Sequence, residues 1–136
     1  MQFIRDNIGL VSVVCLSGAM LLWSFFGNRM RGLKEASIAE ALQLINHKNA
    51  LVLDVREAKE FDAGHILNSK FIPLGNLRQR ANELEHHREQ PIVVVCRSGQ
   101  RSAAACTLLG KQGFSQVYNL SGGILAWEKA NMPLEK

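Results

Sequence analysis

Two short runs place the tightest limit on what this chain can fold into. Leu51 to Val55 (LVLDV) and Ile92 to Val95 (IVVV) are nearly unbroken apolar stretches rich in β-branched residues. A strand with one wet face alternates apolar and polar side chains, whereas a continuous apolar run belongs to a strand covered on both faces. Helical signals lie around these runs. Ser37 and Glu40 have capping-box spacing ahead of a helix to about His47. Ala58 to Ala63 can make a helical turn, and Asn76 can cap a helix to about His87. Ser102 to Gln112 reads as another helix, with Gly113 placed to close it. Phe71 to Leu74 reads as a short strand broken by Pro73, Val117 to Leu120 as a further strand, and Gly123 to Ala130 as a last helix. Strands alternating with helices predict an α/β fold, a parallel sheet flanked by helices. Ligands of such sheets sit beyond the carboxyl ends of the strands, and Cys96 follows one of those ends.

The N-terminal segment has a different character. Ile8 to Phe26 is 19 residues without a charge. As a helix it would extend about 28 Å, close to the ~30 Å apolar core of a bilayer. Trp23 suits an interfacial anchor, and Arg29, Arg31 and Lys34 follow, while Arg5 on the other flank is offset by Asp6. A cleaved signal peptide and a long buried helix are the competing readings. The charge asymmetry favours one transmembrane helix, with the N-terminus outside and the main domain in the cytoplasm. The predicted organisation is therefore a tail at 1–7, a transmembrane helix at 8–26, a basic linker at 27–34 and an α/β domain at 35–136. Most of the formal charge of +4 belongs to the first 34 residues. The rest is nearly neutral and has no electrostatic footprint for nucleic acid.

Cys15, Cys96 and Cys106 form neither a CxxC pair nor a zinc-ligand pattern, so no metal and no disulfide framework are expected. Cys96 opens the stretch CRSGQRS. Amides at a helix N-terminus and nearby guanidinium groups favour a thiolate over a thiol. If residues 97–102 curl around Cys96, successive N–H groups point inward as an anion nest. Gly99 would then relieve the turn, Ser102 would open the helix, and Arg101 would stand at the rim. The alternative is a buried core cysteine that happens to end a strand.

This loop resembles the active loop of rhodanese-like (thiosulfate sulfurtransferase-like) domains. Asp54-Val55-Arg56-Glu57, Glu60-Phe61 and Gly64-His65-Ile66 match one family signature, and Leu120-Ser121-Gly122-Gly123 with Trp127 matches another. The whole is similar to a membrane-anchored, single-domain bacterial member at the inner membrane. The resemblance implies a sulfurtransferase with Cys96 as nucleophile, carrying a persulfide between an anionic donor such as thiosulfate and a thiol or cyanide acceptor. Arg97, Ser98, Gly99, Gln100, Arg101 and Ser102 would form the substrate-binding loop, and no cofactor is needed. Cysteine-based phosphatases leave five residues between cysteine and arginine; here Cys96 and Arg101 leave four, a nest better sized for sulfur than for phosphate. The other function class is a membrane-anchored interaction module that binds a membrane-protein partner with little catalysis.

Supporting roles are expected for Asp54, Arg56, Glu60, His65 and Gly122. Asp54 and Arg56, two apart at a strand end, could brace the pocket or supply a general acid, with Glu60 as the partner of Arg56. His65 could fix the Gly64 turn by a hydrogen bond or take part in catalysis. Gly122 could allow backbone to approach the loop closely. Cys106 is either a small buried residue or a resolving thiol.

Overall fold

The computed structural model describes residues 1–30 and 33–136, with side chains described for 1–24 and 33–136. Two compact units result, Met1–Gly32 and Leu33–Lys136. In the first, α1 (Gln2–Asp6) precedes α2 (Ile8–Met30). The helix continues past Gly27 to Met30, so the linker predicted from residue 27 is helical at its start, while Arg31 and Gly32 lie outside the described residues. Leu10, Val13, Val14, Leu16, Met20, Leu21, Leu22 and Trp23 are exposed. Among the described residues, no helix is long and apolar enough to cross a membrane. The described side chains end at Ser24, so Phe25 and Phe26, the last two residues of the expected span, lie outside them.

In the second unit the elements run β1 (Lys34–Ala36), α3 (Ile38–His47), β2 (Leu51–Asp54), α4 (Ala58–Ala63), β3 (His65–Ile66), β4 (Lys70–Phe71), α5 (Leu74–Arg80), a 3-10 helix (Ala81–His87), β5 (Ile92–Val95), α6 (Gln100–Lys111), β6 (Val117–Leu120), α7 (Gly123–Lys129) and β7 (Leu134–Glu135). Among the described residues these strands make a five-stranded sheet in the order β1-β6-β5-β2-β4, together with a β3-β7 pair. Every pairing in the larger sheet is parallel.

The apolar runs behave as their composition requires. Leu53, Val55, Ile92, Val94 and Cys96 face one way and pack with Leu77, Leu84 and Leu109. Val52, Val93 and Val95 face the other way and pack with Ala41, Ile124 and Trp127. The two-residue period of a strand thus sends alternate side chains into two cores, one under α5 and α6, the other under α3 and α7. Full burial of each aliphatic side chain contributes about 1.5–3 kcal/mol.

Several boundaries differ from expectation. Lys34, expected as the last linker residue, instead opens a sheet-edge strand, Lys34–Ala36, whose Ala36 is fully buried. The helix expected to start at Asn76 begins at Leu74, follows Pro73 and tightens to 3-10 geometry from Ala81. Pro73 pre-sets the entry to that helix, so Asn76 has no cap to make. The His65–Ile66 strand escapes single-sequence reading because its partner, Leu134–Glu135, is far along the chain.

Sheet order places the site. From β2 the chain moves to β4 on one side, then returns to β5 and β6 on the other. The switch falls between β2 and β5, whose carboxyl ends carry Asp54 and Cys96. Crevices at such points are where ligands of parallel sheets bind.

Candidate active site

Cys96 leaves the end of β5, and the chain turns at once into α6. Gly99 takes a left-handed conformation (φ 110°) as the residue before that helix. This turns its N–H onto Cys96 Sγ at 3.0 Å. The helix begins at Gln100, two residues ahead of the expected start at Ser102, because a left-handed glycine makes the turn without Cβ strain. Ser102 consequently lies inside the first turn, fully buried, with Oγ 3.3 Å from Sγ. Arg97, Ser98 and Gln100 are exposed on the rim. Cys96 itself is only 1% exposed. A reagent must therefore reach the sulfur through the mouth of the loop.

The loop is braced from the next element. The amides of Ile124 and Leu125 at the start of α7 donate to the carbonyls of Cys96 (2.8 Å) and Arg97 (3.2 Å). The close approach expected at Gly122 belongs instead to Gly123, where an added Cβ would collide with those same two carbonyls. Gly122 is needed for its own φ of 75° and for clearance from Ala126.

The charged residues sort differently from the sequence expectation. Arg56 folds back on Asp54, its Nε and terminal nitrogen reaching the two carboxylate oxygens at 2.7–3.0 Å, and it also donates to the Gly64 carbonyl at 2.7 Å. Both residues are buried. Glu60 is not its partner. Glu60 instead takes a two-pronged bond from Arg101, at 2.7 and 2.9 Å, and also accepts the Glu57 amide in the capping box that starts α4. Helix α4 thereby holds the loop, and Arg101 is not free at the rim.

His65 stacks on Phe61 with ring centroids 3.8 Å apart and uses Nδ1 to donate to the Phe61 carbonyl at 3.0 Å. Its Nε2 lies 3.3 Å from Glu135. These contacts tie α4 to the β3-β7 pair, a structural use of the imidazole. Among the described residues there is no metal-ligating cluster.

Two residues escaped the sequence reading. Asn119, buried in β6, accepts from the Ser102 hydroxyl and donates to the Gly99 carbonyl (3.0 Å) and to Glu35 (3.1 Å). Glu35 in β1 also accepts from the Ser121 hydroxyl at 2.9 Å. The available signal was a lone amide within the apolar strand VYNL; a buried polar residue needs partners, and here they are the loop.

The sequence profile of the rhodanese-like domain matches residues 37–130. The chain belongs to that family. A thiosulfate sulfurtransferase, GlpE, of Pseudoalteromonas translucida is 37% identical over 97 residues, which is 71% of this chain and 90% of that protein. The uncharacterized protein YibN of Escherichia coli K12 is 34% identical over 136 residues, covering 98% of this chain and 94% of its own. Among solved structures, a rhodanese-related protein of Thermoplasma volcanium superposes with a TM-score of 0.67 at 36% identity, covering 75% of this chain and 97% of that one. Family and relatives together support a sulfurtransferase-like role.

The electrostatics of this rhodanese-like domain separate its two buried thiols. At Cys96 burial is the largest influence and pushes the thiol up. Hydrogen bonds to an ionised sulfur, from the Ser102 hydroxyl once it turns from Asn119 and from the amides of Ser102, Gly99 and Ser98, outweigh it, so the thiol lies below its ordinary value. At Cys106 burial, aided by Glu35 and Cys96, pushes the thiol up to about 12. Cys106 is a packing residue at neutral pH.

The Arg101 hydrogen bond holds Glu60 at about 2, against an ordinary 4.5. A carboxyl depressed on folding adds stability that is fully present above the unfolded value and is lost as pH falls through the folded one. The stability difference between the wild type and Glu60→Gln is therefore expected to be constant above about pH 5 and to shrink between 4.5 and about 2. Denaturant titrations at stepped pH measure it, and a difference that does not change over that window would rule the latch out.

Proposed function

We propose that the chain moves a sulfane sulfur from a small anionic donor such as thiosulfate to a thiol or cyanide acceptor through a persulfide on Cys96. The observation that carries this reading is the Gly99 amide 3.0 Å from Sγ at the start of α6, on a thiol shifted toward its ionised form. The thiolate attacks the outer sulfur of thiosulfate; a new S–S bond forms at Cys96 as the donor's own S–S bond breaks, and sulfite leaves with that electron pair. Cyanide or a thiolate then attacks the terminal sulfur, and Cys96 departs as thiolate. No oxidant or reductant enters. The loop amides that face Sγ are placed to hold negative charge on either sulfur. With Arg101 engaged by Glu60, Arg97 is the loop cation available to draw in the donor. Burial of Sγ favours a compact donor over a bulky one.

Thiosulfate added to the purified full chain is expected to raise its mass by one sulfur, located on the peptide containing Cys96, and cyanide is expected to remove it with thiocyanate release. An unmodified Cys96 under these conditions would refute the reading.

The uncharged run from Ile8 to Phe26 and the basic residues after it support attachment to a bacterial inner membrane, with the domain on the cytoplasmic side. The full chain is then expected to stay with carbonate-washed membranes and, in spheroplasts, to shield residues 33–136 from external protease. Release into the wash would overturn this placement.

A further inference from the structure

The side chains around Sγ leave one proton to be shared, and its position can be deduced. Asn119 Nδ2 lies 3.1 Å from a Glu35 carboxylate oxygen and 3.0 Å from the Gly99 carbonyl, both of which only accept. Turning the amide over would set its oxygen against those two acceptors, so Oδ1 faces Ser102. An amide oxygen also only accepts. The hydroxyl of Ser102 has one hydrogen, and the short Ser102–Asn119 contact uses it. Toward Cys96, 3.3 Å away, Ser102 therefore presents a lone pair.

We propose that Asn119 is a positioning residue that claims the Ser102 hydroxyl proton and thereby sets how readily Cys96 ionises. In the resting thiol, the Cys96 S–H donates to Ser102 Oγ and Ser102 donates to Asn119. When the S–H proton leaves to solvent, the sulfur gains the Ser102 hydrogen bond only if that hydroxyl turns away from Asn119, leaving a buried amide oxygen without its donor. Asn119 and the thiolate compete for one hydrogen. The same amide pins the Gly99 carbonyl, so the residue that withholds the proton also holds the turn whose N–H meets Sγ. This role rests on Cys96 being the nucleophile but not on sulfur being the group it carries.

Other titratable groups face Cys96. From α6 come Arg101, paired with Glu60 of α4, and the buried Cys106; from β1 comes Glu35, which approaches through Asn119 and is also held by Ser121. Arg97 follows Cys96 directly and is exposed. A Glu35 carboxylate freed by loss of Asn119 would oppose ionisation of Cys96, the direction contrary to the one expected below.

The test is the pH profile of iodoacetamide alkylation in the full chain, followed by mass spectrometry on the Cys96 peptide so that Cys15 does not contribute. Asn119→Ala is expected to lower the midpoint by about one unit, the worth of one hydrogen bond gained by a charged sulfur, and to speed alkylation about tenfold below it. In that background Ser102→Ala is expected to raise the midpoint again, by more than it does in the presence of Asn119. An unchanged or raised midpoint in folded Asn119→Ala overturns the proposal. Should that variant not fold, the infrared difference between wild type and Cys96→Ser below the midpoint decides. A Cys96 S–H stretch shifted to low frequency by donation to Ser102 supports the proposal, and a stretch at the free-thiol position overturns it. A lowered midpoint without any persulfide on thiosulfate would remove sulfur transfer and leave the Asn119 role standing. A persulfide with an unmoved midpoint would do the reverse.

Discussion

Cys96→Ser is expected to reduce thiocyanate formation from thiosulfate and cyanide by about three orders of magnitude or more, because the whole reaction passes through one nucleophile. A serine hydroxyl in the same nest would still accept the Gly99 amide but could not ionise in the range where a thiol shifted downward does. The control is Cys106→Ala. That thiol is pushed up to about 12 and lies within the core, so transfer should survive its removal. Residual turnover in Cys96→Ser above a few per cent of wild type, or labelled sulfur recovered at Cys106, would rule out the single-nucleophile mechanism.

Arg56→Met is expected to destabilise the protein by about 3–5 kcal/mol, since it leaves the carboxylate of Asp54 buried with only the backbone amide of residue 56 as a donor. It also removes the donor to the Gly64 carbonyl, which sits at the turn between α4 and β3. In a domain of about 100 residues, a loss of this size lowers the melting temperature by more than about 12 °C. Adding Asp54→Leu should recover much of the loss, because an apolar pair needs no compensation for desolvation. Denaturant melts of Arg56→Met, Asp54→Leu and the double variant measure the cycle. A single variant as stable as the wild type, or a double variant no better than the single, would show that the pair does not carry this burden.

The legibility of this chain in its sequence followed the range of each interaction. Val117–Leu120, Ile92–Val95 and Ala58–Ala63 could be placed because apolar runs and helix caps act between neighbours. The cysteine loop was equally visible, since its chemistry and its turn both lie between Cys96 and Ser102. Pairings across the chain were not visible. Arg56 had Glu60 at helical distance and Asp54 two residues behind; burial of the β2 end selected Asp54 and sent Glu60 to Arg101. Ser102 looked like a helix cap until Gly99 took that position and turned it inward.

By itself, the sequence determined that residues 35–136 would form a parallel sheet buried on both faces, with a thiol at the end of a strand, because strand periodicity and β-branched content act locally. Tertiary structure alone decided which guanidinium is locked by Glu60, which glycine meets the loop carbonyls and which amide holds the Ser102 proton. Those choices depend on side chains from β1, α4, β6 and α7 meeting around one sulfur, and no spacing along the chain encodes the few ångströms that separate a donor from its acceptor.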